Sequence, residues 1–153
     1  MRAINSIIIV TMLFYSCNGG NKSKVEAIKD QSISKVLDPF KEWKSNNGIG
    51  PIKSLELSNE IDTVLVNSGK ESFEAKCTAC HKIEKKFIGP SPKGILSRRT
   101  AAWVMNMILN PDQMILEDPI AKQLYVEANG APMANQGLSE IEARAVLEYF
   151  RTL

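Results

Sequence analysis

The chain has 153 residues, of which 44% are hydrophobic and 24% charged, a composition typical of a globular protein with one modest domain. Its formal net charge is +2, from 19 Lys and Arg against 17 Asp and Glu, which argues against a nucleic-acid partner. The charge is unevenly distributed. Residues 77–100 carry six Lys and Arg against one Glu, whereas residues 101–153 carry three against seven acidic residues. We therefore predict a dipolar molecule.

The first 16 residues are predicted to be a secretory signal peptide. Arg2 supplies the positive charge at the start, and an apolar stretch without further charge follows over residues 3–16. That stretch is shorter than the roughly 20 apolar residues that span a bilayer, which argues against a permanent transmembrane helix. A tilted membrane anchor is the weaker alternative.

Cys17 follows this stretch, and the residues before it resemble a bacterial lipoprotein box, in which signal peptidase cuts before a cysteine that then carries lipid. The box usually has Leu three residues before the cysteine and a small residue two before it, where this chain has Phe14 and Tyr15. We predict lipidation of Cys17 and an exported protein held on the periplasmic side of a bacterial membrane. Cleavage elsewhere and an uncleaved anchor are the alternatives.

Two further segments precede the predicted domain. Residues 17–40 are rich in Asn, Gly, Lys and Ser and are predicted to be a solvated tether, although their apolar positions would also suit a short helix interrupted by Pro39. Residues 41–66 contain Trp43 and the turn-rich run NNGIGP at 46–51. We expect this extension to pack on the domain that follows, over residues 67–153.

The run CTACH at residues 77–81 carries the chemistry. It places the thiols of Cys77 and Cys80 about one helical turn apart, where they can add to the two vinyl groups of a haem, and His81 follows directly as an axial ligand of the iron. His81 is the only histidine in the chain, so no other imidazole competes with it. A redox-active CxxC and half of a zinc site are the alternatives. No βαβ pattern surrounds the run and no second Cys or His pair completes a zinc shell.

A six-coordinate electron carrier needs a second strong ligand, and methionine is the common choice. Met105 and Met107 fall in an apolar helical run, where core packing is the expected role. Met133 lies in the turn-rich loop 130–137, directly before a last helix whose predicted capping box is Ser139 with Glu142. We predict Met133 as the ligand, with Met114 or an open position as the alternatives.

With these features, residues 67–153 resemble the class I c-type cytochromes. The resemblance rests on the haem-attachment run, a Gly-Pro pair and a glycine beyond it, paired positions in the first and last helices, and a methionine before the last helix. In this chain these are CTACH, Gly89 with Pro90, Gly94, Gly69 with Phe73, Val146 with Tyr149, and Met133.

The resemblance implies specific roles. The carbonyl of Pro90 would accept a hydrogen bond from the outer nitrogen of His81, and Gly69 would let the first and last helices cross closely, with Phe73 against Val146 and Tyr149. An ordinary helix start capped by Ser68 and Glu71 is compatible with that role of Gly69. Similar cytochromes often place donors to a haem propionate where this chain has Arg98, Arg99 and Trp103. Simple solvation is the alternative for at least one of these arginines.

Two internal helices are predicted from local signals. Residues 100–109 form one that Asn110 and Pro111 end, and residues 119–128 form another that Asp118 caps. With the first and last helices, these predict an all-α cytochrome c fold of about four helices around one covalent haem c. We found no convincing strand alternation in this region.

The leading functional hypothesis is a membrane-tethered electron carrier of a respiratory chain, which binds no small-molecule substrate. The basic stretch around CTACH would dock a redox partner, and a solvated charged surface is the alternative. A haem enzyme or gas sensor with an open sixth position is the rival function. A third hypothesis is a donor subunit for a terminal reductase or oxidase. It rests on a weak resemblance of residues 48–51 to small lipoprotein cytochromes that accompany reductases such as nitrous-oxide reductase.

Overall fold

The computed structural model describes residues 38 and 40–153. They lie in one compact unit. The predicted signal peptide, the lipidation of Cys17 and nearly all of the predicted tether lie outside the described residues, so they stay predictions. Within residues 38 and 40–153, no helix has both the length and the apolar character needed to cross a membrane.

The all-α prediction is confirmed, since the described part of the chain contains helices and no strand. Five α-helices follow one another along it, with short 3₁₀ helices at Trp43–Ser45 and Ile95–Ser97. The α-helices are α1 (Thr63–Lys76), α2 (Ala101–Leu109), α3 (Pro111–Glu117), α4 (Pro119–Glu127) and α5 (Glu140–Phe150).

The additional helix, α3, begins at the proline that was expected only to end α2. Pro111 occupies the first helical turn of α3, where its missing N–H needs no acceptor and its fixed φ suits the helix. Asn110 is therefore both the C-cap of α2 and the N-cap of α3. One proline ends one helix and starts the next.

The caps of α4 and α5 lie where they were predicted, whereas Thr100, predicted as the first residue of a helix, is the N-cap of α2. The Thr100 side chain accepts a hydrogen bond from the Trp103 N–H, and Asp118 accepts one from the Ala121 N–H. Ser139 and Glu142 form the reciprocal capping box of α5. These bonds satisfy backbone donors that have no partner within their own helix.

The alternative start of the first helix at Ser68 is wrong. α1 begins at Thr63, because the Asp62 carboxylate accepts hydrogen bonds from the backbone N–H groups of Val64 and Leu65. Ser68 is an exposed residue in the middle of this helix. Asp62 is thus a strong N-cap, and its hydrogen bonds set the start of the helix at Thr63, well before Ser68.

The first and last helices cross at Gly69 of α1. A Cβ built on Gly69 would lie 1.9 Å from the carbonyl oxygen of Ala145 on α5, so no larger residue fits there. Beyond the crossing, the ring of Phe73 packs 5.8 Å from that of Tyr149 and 5.6 Å from that of Phe150, measured between centroids. This contact fixes the direction in which α1 delivers the CTACH run.

Residues 46–52 lie against α2 and α3 through hydrogen bonds rather than through a strand or helix of their own. The fully buried side chain of Asn106 donates to the carbonyls of Asn47 and Ile52 and accepts from the Ile52 N–H. The Ile49 N–H points at the sulfur of Met114. This segment is thereby attached to the back of α2.

Candidate functional site

A single, mostly apolar cavity brings together every predicted site residue that the structure describes. Its walls come from all five helices, from the loop after α1 and from the loop before α5. The predicted residues that line it are Cys77, Cys80, His81, Pro90, Arg98, Arg99, Trp103 and Met133. Residues far apart in sequence therefore meet at one site.

The CTACH run continues the last turn of α1 into the cavity wall. The Cys77 N–H donates to the Phe73 carbonyl at 2.9 Å, and the His81 N–H donates to the Cys77 carbonyl at 2.9 Å. This turn places both thiols on the cavity wall, and they are not joined as a disulfide. Burial raises the pKa of the Cys77 thiol, whereas Cys80 is exposed.

The His81 ring is oriented by the backbone that follows it. Its Nδ1 lies 2.8 Å from the carbonyl oxygen of Pro90. A carbonyl can only accept, so Nδ1 must carry the proton, and the lone pair of Nε2 is left for a metal. Such a bond to the outer nitrogen fixes both the tautomer and the ring direction of a ligating histidine.

Gly89 supports this arrangement by close packing, a role that the sequence analysis did not assign. A Cβ built on Gly89 would lie 2.3 Å from Cε1 of His81 and 2.8 Å from both ring nitrogens. The Gly89 N–H also donates to the Cys80 carbonyl at 2.9 Å. The backbone at Gly89 is thus held flat against the imidazole.

The methionines differ in whether they line the cavity. Met133 is half-buried and lines the cavity from the loop between α4 and α5. Met114, the alternative ligand, is fully buried away from the cavity, and Met105 is buried in the core. Met107 on α2 also lines the cavity, which the sequence did not indicate. Two thioethers of the described chain therefore face the site, and only that of Met133 lies on a loop.

The three propionate candidates differ in what their donors already bind. Arg98 donates to the carbonyls of Ser91 at 2.6 Å and Lys93 at 2.8 Å, so it braces the loop after Pro90. The indole N–H of Trp103 donates to Asp118 at 3.1 Å, so Trp103 offers the cavity its ring and not a donor. Arg99 is different, because its buried Nε finds no hydrogen-bond partner in the described part of the chain.

Arg99 is a buried cation at the cavity wall. Its side chain is 6% exposed, and its guanidinium lies 4.9 Å from the ring centroid of Phe40 and 5.2 Å from that of Trp103. Burial, followed by the charge of Arg98, lowers the pKa of Arg99. A desolvated guanidinium between two rings, with a donor to spare, suits an anionic group of a ligand.

Comparison with known families agrees with this geometry. The family model described as cytochrome c matches residues 66–153, which is more than half of the chain. The chain belongs to the cytochrome c family. Membership implies a covalently bound haem c and a function in electron transfer. A comparison with curated proteins gives no match.

Solved structures also resemble this cytochrome. A cytochrome c from Rhodothermus marinus is 43% identical, with a TM-score of 0.65, and the match covers 67% of this chain and 88% of that one. An engineered cytochrome c from the same organism is 42% identical, with a TM-score of 0.65, and the match covers 67% and 89%. A cytochrome c domain from Pseudomonas putida is 30% identical, with a TM-score of 0.50 and coverage of 55% and 85%. The cytochrome c fold predicted from the sequence is confirmed.

The residues of this cytochrome fit a haem. The apolar lining suits the macrocycle, and the buried Arg99 guanidinium suits an anionic propionate. Cys77 and Cys80 offer two thiols, and His81 offers an imidazole whose free nitrogen is Nε2. A zinc site has no such support, because no three His, Cys, Asp or Glu side chains cluster within residues 38 and 40–153.

Proposed function

We propose that this cytochrome is a membrane-tethered carrier of single electrons with one haem c, held covalently by Cys77 and Cys80 and ligated by His81 and Met133. The observation that carries the proposal is the shared cavity, whose walls hold both thiols, the oriented imidazole and a loop methionine. When bound, the haem supplies a one-electron Fe(III)/Fe(II) couple whose potential a methionine ligand raises.

Different residues of the chain hold the haem in different ways. Pro90 keeps the Nδ1 proton of His81 in place, so that the ring keeps its direction and Nε2 stays a lone-pair donor. The apolar lining offers water few hydrogen-bond partners. Arg99 offers the donor for a propionate. Because none of these groups needs to move when an electron arrives or leaves, the site suits electron transfer.

We further propose that lipid on Cys17 holds the protein on the periplasmic side of a bacterial membrane. Its partner is a redox protein with an acidic docking face, such as a terminal reductase or oxidase of a respiratory chain. Three exposed lysines support this choice, since they lie in the loop between His81 and Ile88, both of which line the cavity. They are Lys82, Lys85 and Lys86.

Substitution of the loop methionine tests the ligation. We expect Met133→Ala to abolish the ferric charge-transfer band near the red end of the visible spectrum and to let the ferrous protein bind carbon monoxide. Met107→Ala is the matched control, because Met107 also lines the cavity but lies on α2. It should keep the band and leave the iron closed to carbon monoxide.

The alternative function, a haem enzyme or gas sensor with an open sixth position, predicts a different result for Met133→Ala. If the unsubstituted ferrous protein already binds carbon monoxide, and Met133→Ala changes neither the ferric spectrum nor the ferrous carbon monoxide spectrum, the sixth position is open. The electron-carrier proposal then gives way to the enzyme or sensor.

Intact mass tests the attachment and the tether together. The membrane-extracted protein should carry the mass of one haem plus acyl chains, whereas Cys17→Ser should carry the haem alone. A haem-loaded protein without acyl chains would refute the tether and leave the electron-carrier proposal standing.

A further inference from the structure

A buried carboxylate lies directly behind the cavity wall. Asp118 is 2% exposed and does not itself line the cavity. Its Oδ1 accepts from the indole N–H of Trp103 at 3.1 Å and from the Ala121 N–H at 2.8 Å. Its Oδ2 accepts from Nδ2 of Asn46 at 2.7 Å. Three donors thus hold one carboxylate in a fixed place.

Trp103 lies between this carboxylate and the buried cation of the site. The Arg99 guanidinium lies 5.2 Å from the centroid of the Trp103 ring, and the N–H of the same indole donates to Asp118. The negative charge of Asp118 also raises the pKa of Arg99, against the lowering that burial causes. Asp118 therefore acts on the cavity wall in two ways, by its hydrogen bond to Trp103 and by its charge.

Asn46 joins this carboxylate to the segment before α1. Its Nδ2 donates to Asp118, while its Oδ1 accepts from the Gly48 N–H at 2.7 Å. Its backbone carbonyl accepts from the Thr100 hydroxyl at 2.7 Å. The side-chain amide of Asn46 is thus oriented by both of its ends, with the amino group turned toward Asp118.

We propose that Asp118 is a positioning residue that lowers the reduction potential of the haem iron, and that Asn46 fixes it in that role. The inference rests on the proposed electron-carrier function. A negative charge buried behind the wall of the haem cavity favours the ferric form, which carries one more positive charge than the ferrous form, and water screens a buried charge weakly. Asp118 also holds the ring against which Arg99 lies.

Removal of the charge tests the proposal. We expect Asp118→Asn to raise the ratio of reduced to oxidised protein at a fixed applied potential by about three- to tenfold, from the loss of one weakly screened charge. The control is Asp112→Asn, which removes an exposed carboxylate from the first turn of α3. It should leave the ratio unchanged at high salt. The shift of Asp118→Asn should change little between low and high salt, because salt screens buried charges much less than exposed ones.

A charge-swap variant separates the charge from the fold. In Asp118→Asn alone, the new amide would turn its amino group toward the amino group of Asn46. In the double variant Asn46→Asp with Asp118→Asn, the two exchanged side chains can still form a hydrogen bond with each other. The hydrogen bonds donated by Trp103, Ala121 and Gly48 also keep their acceptors. The exchange moves the carboxylate away from Trp103 to a half-buried position. We expect the ratio of reduced to oxidised protein in this double variant to lie between the ratios of the wild type and Asp118→Asn.

Each outcome decides the matter. A wild type without bound haem or a reversible couple overturns the proposed function and this inference together. A wild type with a couple overturns the inference alone if Asp118→Asn matches Asp112→Asn, or if its shift vanishes at high salt. If Asp118→Asn does not fold, a swap variant with the wild-type ratio overturns the inference, and one with a higher ratio supports it.

Discussion

His81 is held from two directions, by a hydrogen bond at one ring nitrogen and by the backbone of Gly89 against the ring. The first contact fixes rotation of the imidazole, because Nδ1 lies 2.8 Å from the Pro90 carbonyl. The second fixes its position, because a Cβ on Gly89 would lie 2.3 Å from Cε1 of His81. As the proposed iron ligand, an imidazole that cannot shift would keep the same geometry in both oxidation states.

Gly89→Ala is therefore expected to disturb the iron centre directly. The added methyl group must displace either the His81 ring or the loop backbone, and neither move preserves the bond to Pro90. We expect a lower yield of protein with attached haem and a free energy of unfolding lower by about 2 to 3 kcal/mol, the usual cost of overpacking. Absorption spectra and denaturant titrations measure the two effects.

Gly137→Ala is the control for a glycine substitution without such a contact. Gly137 has φ +63° and no atom within 4 Å of a built Cβ, so alanine brings backbone strain alone. It should cost stability while the spectrum of the iron stays unchanged. If Gly89→Ala also keeps a wild-type spectrum and haem yield, contact with His81 does not position the ligand.

Among the individual site residues, those that a local sequence pattern identifies could be predicted. CTACH lies within five residues, and Met133 stands in a turn-rich loop before a clear capping box, so both could be assigned to one site. The different uses of Arg99 and Trp103 could not be predicted. They depend on Asp118, whose hydrogen bond to Trp103 exists only once α2 and α4 have packed.

Among the helices, α5 carries a buried carboxylate that holds the start of α1. Glu148 is fully buried and accepts from the Asp62 N–H at 3.0 Å, from Arg151 at 2.6 Å and from Arg144. Burial alone would raise the pKa of Glu148. The hydrogen bonds from Arg144 and Asp62, together with the charges of both arginines, outweigh burial and lower it.

This lowered pKa makes stability depend on pH in a defined window. The stabilisation from ionised Glu148 is fully present above its ordinary pKa of 4.5 and is lost as the pH falls through the lower folded-state value. We expect Glu148→Gln to reduce the free energy of unfolding by about 3 kcal/mol at pH 7, the usual cost of breaking a buried ion pair. The difference in the free energy of unfolding between Glu148→Gln and the wild type should narrow as the pH falls below 4.5.

Denaturant titrations from pH 7 to pH 3 measure this gap. Glu140→Gln is the matched control, because Glu140 lies on the same helix and is exposed. It should track the wild type at every pH. A gap between Glu148→Gln and the wild type that stays constant down to pH 3 would show that the charge of Glu148 is not what stabilises the contact between α1 and α5.

Helix ends were predictable where a side chain near in sequence caps them, as at Asp118 and Ser139. The separate helix α3 was not, because a proline that ends one helix also suits the first turn of the next. Residues 46–52 pack on the domain as expected, but the bonds that attach them were not predictable. They depend on the Asn106 amide binding backbone groups more than fifty positions away in sequence, which no local pattern encodes.

Over the whole molecule, folding redistributes the charges that the sequence divides between two halves. Arg99 in the basic stretch and Asp118 and Glu148 in the acidic one are buried, so they contribute little to the outer surface. Lys93 pairs with Glu84 at 2.6 Å. The exposed cations that remain in the loop after His81 are Lys82, Lys85 and Lys86.

Two exposed apolar residues follow these lysines in the same loop. Phe87 is 53% exposed and Ile88 is 42% exposed, and Ile88 also lines the cavity. The ammonium of Lys82 lies 5.3 Å from the centroid of the Phe87 ring. Exposed apolar residues next to cationic ones match a partner that presents acidic side chains around its own redox centre.

Charge reversal at Lys85 and Lys86 is expected to slow electron transfer to such a partner by about tenfold or more at low ionic strength. The reason is that these charges raise the rate of encounter rather than the strength of the final contact. The difference from the wild type should shrink toward zero near 1 M salt, where the Debye length is about 3 Å. Stopped-flow mixing with an acidic redox protein measures both rates. Lys53→Glu with Lys70→Glu makes the same change in net charge at exposed positions that do not line the cavity. If this control slows the reaction equally, net charge alone governs the encounter and the loop is not the docking site.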